Sequence, residues 1–479
     1  MSTSRRIRVR HGRDPRIDAG IAAIRREQEL PDAFPAEVEQ AAERAAAAPR
    51  LPELDRTDIP FITIDPPEAM DLDQAMYVER QGTGYRVHYA IADVAAFVQA
   101  GDPVDVEARR RGETLYGADS KIPLHPRPLS EAAASLLPDQ LRPALLWTID
   151  LDASGEGIAV DVRRARVRSR AKLNYTGVQA DIDAGKAEPM WAVLREIGEL
   201  REQREQARGG ISLPLPEQEI AVDEQGKWTL EFRGRDAVEG WNEQISLLTG
   251  MAAAHLMIEH KVGILRTLPK PEAWAIERLH RAARALDIDW PHGLDYPAFI
   301  RRLDPAKPAH IAMMIDATSV LRGAGYVAFN GNVPADCEHS ALASTYAHTT
   351  APLRRLVDRF VGETCVALCA SEPVPAWVLE ALPSLPDLMR ESGRRASRYE
   401  HAVLDLAEAM ALSSRVGEVF DASVVDVGKD DPRRGEVIVR AVAVESRIEA
   451  DRPLPLGERI RARLVEADPV KRRTRFELV

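Results

Sequence analysis

The sequence predicts an α+β fold, with a small helical region before it and a five-stranded OB barrel after it. Strand patterns dominate from residue 61 to residue 173, helical patterns then continue to about residue 413, and short alternating strands return at the C-terminus. Strands grouped before helices are typical of α+β domains. A length of 479 residues predicts about three domains. We therefore expect domains over residues 1–55, 56–412 and 413–479.

The N-terminal region has the pattern of two helices, over residues 14–28 and 36–48, joined by a turn that contains proline. The apolar face of the first helix carries Ile17, Ile21 and Ile24. With the arginine-rich arm before them, these helices are either a small helix-turn-helix-like RNA-binding unit or elements that only pack on the body. Residues 48–60 have the composition of a linker.

Strand and helix patterns divide the central region. Residues 85–98 predict a buried strand that runs into a turn, and residues 145–173 predict two strands paired around a turn rich in Gly and Asp. The last 60 or so residues contain several short strands, the pattern of an OB barrel that holds single-stranded nucleic acid. Helices are predicted over residues 176–207, 237–261, 271–287, 309–322, 352–370 and 395–413.

The composition is that of a globular protein of the cytoplasm. Apolar residues make up 45% and charged residues 29%. No apolar run reaches the roughly 18 residues that span a bilayer, and residues 1–13 lack the apolar segment of a secretory signal, so we expect no membrane partner. Three cysteines, Cys337, Cys365 and Cys369, are too few for a disulfide framework. Cys365 and Cys369 share a helical face, where core thiols are favoured over a metal site.

The net charge of −11 hides three basic segments. Arginines crowd residues 1–30, the segment RRARVRSRAK at 163–172 holds six cations and no acid, and the chain ends in VKRRTRFELV. Basic segments on an acidic body favour a phosphate-lined path for nucleic acid. The alternative is a set of solvated faces and tails.

An acidic segment, FITIDPPEAMDLDQAMYV at 61–78, is the centre of the prediction. A short strand leads into two prolines that break regular structure, and the carboxylates of Asp65, Glu68, Asp71 and Asp73 follow within nine residues. Carboxylate oxygens are the ligands that Mg²⁺ prefers, with room left for water and a phosphate. This segment therefore predicts either a metal site for phosphodiester hydrolysis or an acidic surface loop.

Six motifs in order resemble one family. They are TIDPPEAMDLDQA, HYAIADVAAFV, GETLYGADSKIPLHPRPLSEAAASLLP, AKLNYTGVQ, VEGWNEQISLLTGMAAAHLM and YAHTTAPLRRLVDRF. Together they resemble the catalytic (RNB) domain of the ribonuclease II family of 3′→5′ exoribonucleases, over residues 56–412. Residues 417–479 resemble the RNA-binding OB domain that follows it in that family.

The resemblance implies a metal site and names its ligands. Asp65, Asp71 and Asp73 match the family's metal-site aspartates, and Asp73 is the one whose loss we expect to be most damaging. Gln74 stands where the family usually has a fourth aspartate; its amide oxygen can still ligate a metal but brings no charge. The implied cofactor is Mg²⁺, with Mn²⁺ as the alternative ion.

The resemblance also implies substrate contacts. Tyr116 matches a tyrosine that stacks on a base at the 3′ end, Tyr175 and Glu243 match residues at the terminal riboses, and Arg354, flanked by Arg355, matches an arginine aimed at the scissile phosphate. We assign Asp73, Arg354 and Tyr175 to catalysis and Tyr116, Glu243 and Arg355 to substrate binding. Each also has an ordinary structural explanation: a half-buried aromatic, a strand-end residue, a helix cap for Glu243, and surface pairing for the arginines.

Some positions depart from the family or stay without a role. Ile220 stands where we looked for a second base-clamping aromatic. His88, His339 and His348 lie inside motifs but are interpreted as structural. About 55 residues precede the body where the family places two cold-shock OB domains, which suggests a wider RNA entrance and better tolerance of structured RNA with a 3′ overhang.

The resulting prediction is a monomeric exoribonuclease. We expect it to hydrolyse single-stranded RNA from the 3′ end to nucleoside 5′-monophosphates by a two-metal mechanism. One alternative is a catalytically silent relative that acts as an RNA-binding or regulatory protein. Gln74, in place of the family's fourth aspartate, favours this alternative. The other is a metal-dependent phosphatase or nuclease for DNA or small nucleotides.

Overall fold

The computed structural model describes residues 9–10, 15–31, 33–117, 121–186, 188–213, 217–222, 228–442 and 444–479. The helices are α1 (Pro15–Glu27), α2 (Ala36–Ala47), α3 (Pro103–Arg111), α4 (Tyr175–Asp183), α5 (Pro189–Ala207), α6 (Ala237–Glu259), α7 (Ala273–Ala285), α8 (Tyr296–Arg301), α9 (Pro308–Thr318), α10 (Leu356–Cys369), α11 (Ala376–Ala381) and α12 (Leu385–Leu412). The strands are β1 (Val9–Arg10), β2 (Phe61–Ile64), β3 (Gln74–Gln81), β4 (Gly84–Ala92), β5 (Leu115–Tyr116), β6 (Lys121–Ile122), β7 (Leu141–Leu151), β8 (Gly157–Leu173), β9 (Glu217–Val222), β10 (Trp228–Arg233), β11 (Val262–Thr267), β12 (Gly325–Asn330), β13 (Glu338–His339), β14 (Ser344–Thr345), β15 (Val419–Val427), β16 (Arg434–Val439), β17 (Val444–Glu449), β18 (Arg459–Asp468) and β19 (Arg473–Leu478).

The strands of the body close into a barrel in the order β2-β3-β4-β7-β8. Neighbouring strands are antiparallel, except that β2 runs parallel to β8 and completes the ring. Small and medium apolar side chains such as Phe61, Leu146 and Val167 belong to one buried cluster of the barrel. The predicted strands are present, but the closure of the barrel was not predicted from the sequence.

Helices surround this barrel. The predicted central helix is α6, which is buried on most sides and packs against α5 and α10. The single helix predicted over residues 176–207 is wrong, because the chain forms α4 and α5 instead. Gly185 has a φ of 65° and Pro189 lies at the first turn of α5, so both residues favour a break between the two helices.

The C-terminal strands form a second closed barrel, in the order β15-β16-β17-β19-β18. Its interior includes Phe420, Val424, Leu464 and Phe476, all of which are buried. The other neighbouring strands of this barrel are antiparallel, and the parallel pairing of β17 with β19 closes the ring. The predicted five-stranded OB-type barrel is therefore confirmed.

The two N-terminal helices pack on different parts of the body. α1 lies against α12, with Ile21 and Ile24 buried beside Tyr399 and Leu406, while α2 lies against α3. The alternative in which these helices pack on the body therefore describes them, and a role of this region in RNA binding stays a prediction. Of the basic arm, residues 1–8 and 11–14 lie outside the described residues.

The three cysteines form no disulfide in the structure. Cys337, Cys365 and Cys369 are free thiols, and Cys365 is fully buried in the core. Among the described residues, no helix is long and apolar enough to cross a membrane.

Candidate active site

The loop between β2 and β3 carries the predicted acidic residues. Its start is fixed because the backbone N–H of Asp65 donates to the carbonyl of Leu173, at the end of β8, at 3.0 Å. Its middle is fixed by Ser135, whose hydroxyl accepts from the N–H of Leu72 at 2.9 Å and donates to the carbonyl of Met70 at 2.6 Å. Prolines open the loop and backbone contacts hold it, so its carboxylates have defined positions.

Asp73 joins two segments that are far apart in the sequence. Its Oδ1 accepts from the backbone N–H of Leu353 at 2.7 Å, and its Oδ2 accepts from Nε of Arg354 at 3.2 Å. Burial raises the pKa of Asp73 to about 8, although the charge of Arg354 works in the opposite direction. The acid and the arginine that the sequence assigned to one site are thus in contact.

Asp65 and Asp71 lie in the same electrostatic environment. Burial raises the pKa of Asp65 to about 6; Arg354 opposes this shift and the charge of Asp71 adds to it. Asp71 is held by Lys121, whose Nζ lies 2.6 Å from Asp71 Oδ1 and 3.0 Å from Glu131 Oε1. A lysine that the sequence reasoning passed over therefore neutralises one of the predicted metal ligands.

The donor set suits a divalent cation, although its members are engaged by protein cations. The charge of Asp71 adds to the raised pKa of both Asp65 and Asp73, so the three carboxylates interact electrostatically. In the part of the chain that the structure describes, no three His, Cys, Asp or Glu side chains are arranged around one metal position. Hard oxygen donors in mutual repulsion fit Mg²⁺ or Mn²⁺ chemically, and a bound ion competes with Lys121 and Arg354 for them.

Gln74 connects the loop to the arginine segment. Its Nε2 donates to the carbonyl of Thr350, and its Oε1 accepts from the hydroxyl of Tyr89 at 2.8 Å. Thr350 in turn shares a hydrogen bond of 2.8 Å with Ser246 on α6. Both ends of the amide are used, so Gln74 links the barrel to the segment before Arg354.

Arg354 and Arg355 point to different partners. Arg354 faces Asp73, whereas Arg355 binds Asp358 through two N–H groups, one of them at 2.8 Å. The Asp358 side chain is fully buried and also accepts the N–H of Ala351 at 2.7 Å. Arg355 thus fixes the start of α10, and Arg354 is the arginine beside the acidic loop.

Tyr116 lies on a short hairpin of β5 and β6 that is attached to the arginine segment. The N–H of Thr114 donates to the carbonyl of Arg354 at 2.9 Å, and Tyr116 is paired across the hairpin with Lys121. Tyr116 is 39% exposed, so part of its surface is open to a ligand. An exposed ring beside Arg354 fits a stacking platform for a base.

Tyr175 and Glu243 lie on helices that face each other. Tyr175 is the first residue of α4, directly after β8, and its hydroxyl accepts from Nδ2 of Asn242 at 3.0 Å. Glu243 pairs with Arg235 at 2.9 Å. The start of α6 is capped by Asp236 and Glu239, so helix capping does not explain Glu243.

The remaining motif residues have structural surroundings. His348 shares a hydrogen bond of 2.7 Å with the hydroxyl of Tyr326, and burial lowers its pKa. Burial also lowers the pKa of His88 and His339. Ile220 lies on β9, where its backbone pairs with Leu230.

Sequence reasoning missed the residues that support the site. Lys121, Tyr89, Thr350 and Ser246 are single polar residues from separate segments, and only the fold places them around the acidic loop. The sole sequence signal for Lys121 is its place in the motif that also holds Tyr116.

Comparison with protein families gives two matches. Residues 54–368 match the RNB domain, and residues 418–479 match the RNase II-type exonuclease C-terminal S1 domain. The first match covers well over half of the chain and includes every candidate site residue. The second coincides with the C-terminal barrel.

Individual relatives carry the names of ribonucleases. The chain is 27% identical over 435 residues to Ribonuclease R of Escherichia coli (strain K12), covering 84% of this chain but 52% of that protein. It is 25% identical over 442 residues to Ribonuclease R of Thermotoga maritima, covering 87% and 61%. The chain thus spans about half the length of the Escherichia coli relative.

Solved structures show the same fold. Mycoplasma genitalium RNase R in complex with ribose methylated single-stranded RNA matches with a TM-score of 0.84 at 21% identity, over 98% of this chain and 79% of that one. Yeast Ssd1, a pseudonuclease, matches with a TM-score of 0.70 at 16% identity, over 91% and 56%. With both domain matches and the acidic loop joined to Arg354, this chain belongs to the RNB family.

Proposed function

We propose that this protein is a metal-dependent exoribonuclease that removes nucleoside 5′-monophosphates from the 3′ end of single-stranded RNA. The observation that supports this most directly is the contact of Asp73 with Arg354, since it joins the acidic loop to a cation suited to a phosphate. In this proposal the protein is a cytoplasmic monomer. Residues 56–412 hold the reaction site, and residues 1–55 and 413–479 help to bind RNA.

The reaction combines a metal site with the cation beside it. Asp65, Asp71 and Asp73, with Gln74 as a neutral neighbour, would hold Mg²⁺ or Mn²⁺, which activates water and offsets charge on the phosphate. Arg354 then stabilises the extra negative charge that develops at the scissile phosphate. Asp73 orients Arg354 through its Nε, which leaves the other guanidinium N–H groups for the substrate.

The 3′ end of the RNA is bound through base stacking and ribose contacts. The exposed ring of Tyr116 stacks on a base, and because every base has a π-face this contact tolerates any sequence. Tyr175 and Glu243 bind the terminal riboses, with Asn242 fixing the hydroxyl of Tyr175. Contacts to a 2′-hydroxyl favour RNA over DNA.

Structured RNA with a single-stranded 3′ overhang is a further expected substrate. One structural neighbour is Mycoplasma genitalium RNase R in complex with double-stranded RNA, and we propose the same class of substrate for this chain. A duplex whose overhang-bearing strand is labelled at its 5′ end tests this directly. Labelled products shorter than the paired region support the proposal, and labelled products that stop at the length of the paired region contradict it.

The decisive experiment is digestion of a single strand, labelled at its 5′ end in one reaction and uniformly in another, with products separated by size. We expect a ladder and free mononucleotides with Mg²⁺ or Mn²⁺, none with EDTA, and far slower digestion of an all-deoxy strand. Equal digestion of DNA favours a general nuclease and contradicts the ribose contacts.

A catalytically silent RNA-binding protein is the second candidate. Gln74 favours it, since its amide serves Tyr89 and Thr350 and lacks the charge of the family's aspartate. The fold also occurs in yeast Ssd1, which is described as a pseudonuclease. RNA binding without release of mononucleotides under either metal would establish this alternative.

A further inference from the structure

The outer face of β8 is a row of cations. Strand residues alternate between two faces, and Ala165, Val167 and Ser169 point into the buried side of the barrel. The opposite face carries, at every second position, Arg164, Arg166 and Arg168, and Arg170 follows as the extra residue of a register shift against β2. We name these four residues the β8 stripe. Beyond the shift, Lys172 pairs with Thr63 and lies on the other face.

The geometry of the β8 stripe matches an extended anionic polymer. Residues two apart on a strand lie about 6.6 Å from each other, so the β8 stripe extends over about 20 Å. A single-stranded nucleic acid presents one phosphate per nucleotide at a comparable repeat when it is extended. Cations at this spacing therefore suit successive phosphates of one strand.

Most of the β8 stripe is accessible. Arg168 is exposed and lies within ion-pair distance of none of the carboxylates that the structure describes. Arg166 pairs with Asp55 at 3.2 Å and Arg170 with Glu188 at 2.6 Å, and both acids are half exposed or more. Exposed pairs of this kind are weak because water solvates and salt screens them, so a phosphate competes with them.

Arg164 is the exception in the row. It binds Asp93 at 2.9 Å and Glu363 on α10, and both of these acids are buried. It therefore anchors the helix on the barrel, and the usable part of the β8 stripe runs from Arg166 to Arg170.

The strand that carries the β8 stripe leads to the acidic loop. Three residues after Arg170, the carbonyl of Leu173 accepts the N–H of Asp65, and Lys172 Nζ donates to the carbonyl of Pro67 at 2.6 Å. Tyr175 follows two residues later. An RNA strand whose 3′ end occupies the active site thus has a row of cations near it, along β8.

We propose that the β8 stripe binds the phosphates of RNA on the 5′ side of the nucleotides held at the active site. Charge complementarity, the repeat distance and the continuity with the acidic loop support this assignment. It rests on the proposed function in that the 3′ end has to enter the site. It adds an RNA path on the outer surface of the barrel, apart from the residues that meet the last nucleotides.

The test compares two double variants that remove the same charge. R168Q/R170Q removes two cations of the β8 stripe, and R195Q/R390Q removes two exposed arginines from α5 and α12 that each pair with an acid on their own helix. Affinity is measured by fluorescence anisotropy in EDTA, for single strands of about 5 and about 25 nucleotides over a salt series.

We expect R168Q/R170Q to bind the long strand about tenfold more weakly at low salt. The slope of log affinity against log salt falls by about 1.4, because two phosphate contacts on a single strand are lost. The short strand, which does not reach beyond the site, changes much less, and R195Q/R390Q binds both strands as the wild type does. The single variant R168Q, which breaks no described ion pair, shifts the long-strand affinity in the same direction by a smaller factor.

Unchanged affinity for the long strand, or an equal loss for both lengths, overturns the proposal. Mononucleotide release by the wild type in Mg²⁺ is measured separately. If the wild type releases none while the length-dependent loss is present, the proposed function fails and the β8 stripe stands. If the wild type digests RNA while both double variants bind alike, the β8 stripe fails alone.

Discussion

Lys121 Nζ lies 2.6 Å from Asp71 Oδ1, so one of the three carboxylates assigned to the metal is neutralised by a lysine of the Tyr116 hairpin. The same ammonium lies 3.0 Å from Glu131. A cation this close to the metal ligands lowers the affinity of the site for a second cation. We therefore expect Lys121 to tune metal binding, a role that the sequence motif does not reveal.

The first prediction follows from this contact. Lys121→Met should tighten Mn²⁺ binding about three- to tenfold, because a competing charge in a half-buried site is removed. Isothermal titration with Mn²⁺ measures this without any RNA. Lys270→Met, which removes an exposed lysine paired with Glu338, serves as the control and should leave the affinity unchanged. Weaker binding in Lys121→Met would mean that the lysine orients Asp71 instead.

Asp73→Asn should stop hydrolysis while RNA binding stays close to that of the wild type. The amide keeps the shape of the side chain but loses the charge that holds a metal ion and orients Arg354. We expect a rate loss of at least about 10²-fold, read from mononucleotide release and compared with the Kd for the same RNA. Asp387→Asn, at a highly exposed carboxylate, is the matched control. Digestion at wild-type speed would remove Asp73 from the site.

The two neighbouring arginines should separate catalysis from stability. Arg354→Ala should lower kcat by about 10²–10³-fold, since a preorganised charge is lost. Arg355→Ala should instead lower the free energy of unfolding by about 3 kcal/mol, because Asp358 is left as a buried charge without its partner. Denaturant unfolding and single-turnover digestion of both variants give the two readings. A stable Arg355→Ala protein with a large rate loss would reverse the assignment.

Acid should destabilise the protein through buried His125. Burial lowers the pKa of His125 to about 4, and the charge of Arg359 adds to this shift. In the unfolded chain the His125 imidazole binds a proton near pH 6.5, whereas in the folded chain it stays neutral until about pH 4. The stability present at neutral pH is therefore lost as the pH falls from about 6.5 towards 4.

Unfolding by urea at pH 7.5 and pH 5 tests this expectation. Between these values the wild type should lose about 2 kcal/mol more than His125→Asn, since the variant lacks the titrating ring. An equal loss in both proteins would show that other groups cause the acid sensitivity.

Elements and motif positions were predictable because they depend on short-range patterns. Alternation of apolar residues defines β8 and the C-terminal barrel strands, and the period of Ile17, Ile21 and Ile24 defines α1. The family motifs also assigned Asp73, Tyr116 and Arg354 to one site. The structure brings Asp73 and Arg354 into contact, and their roles stay predictions. The long helix over residues 176–207 failed because helical periodicity continued on both sides of Gly185 and concealed the break.

Contacts between distant segments were beyond the reach of the sequence. The sequence itself contains an acidic loop after β2, an arginine pair before α10, the aromatic residue Tyr116 on β5 and a run of cations on β8. Tertiary packing decides that Lys121 meets Asp71 and that Gln74 bridges Tyr89 and Thr350. The closure of β2 against β8 decides that β8 ends beside Asp65. Local patterns fix which face of an element is apolar, whereas side-chain partners depend on packing between segments that can be nearly 300 residues apart.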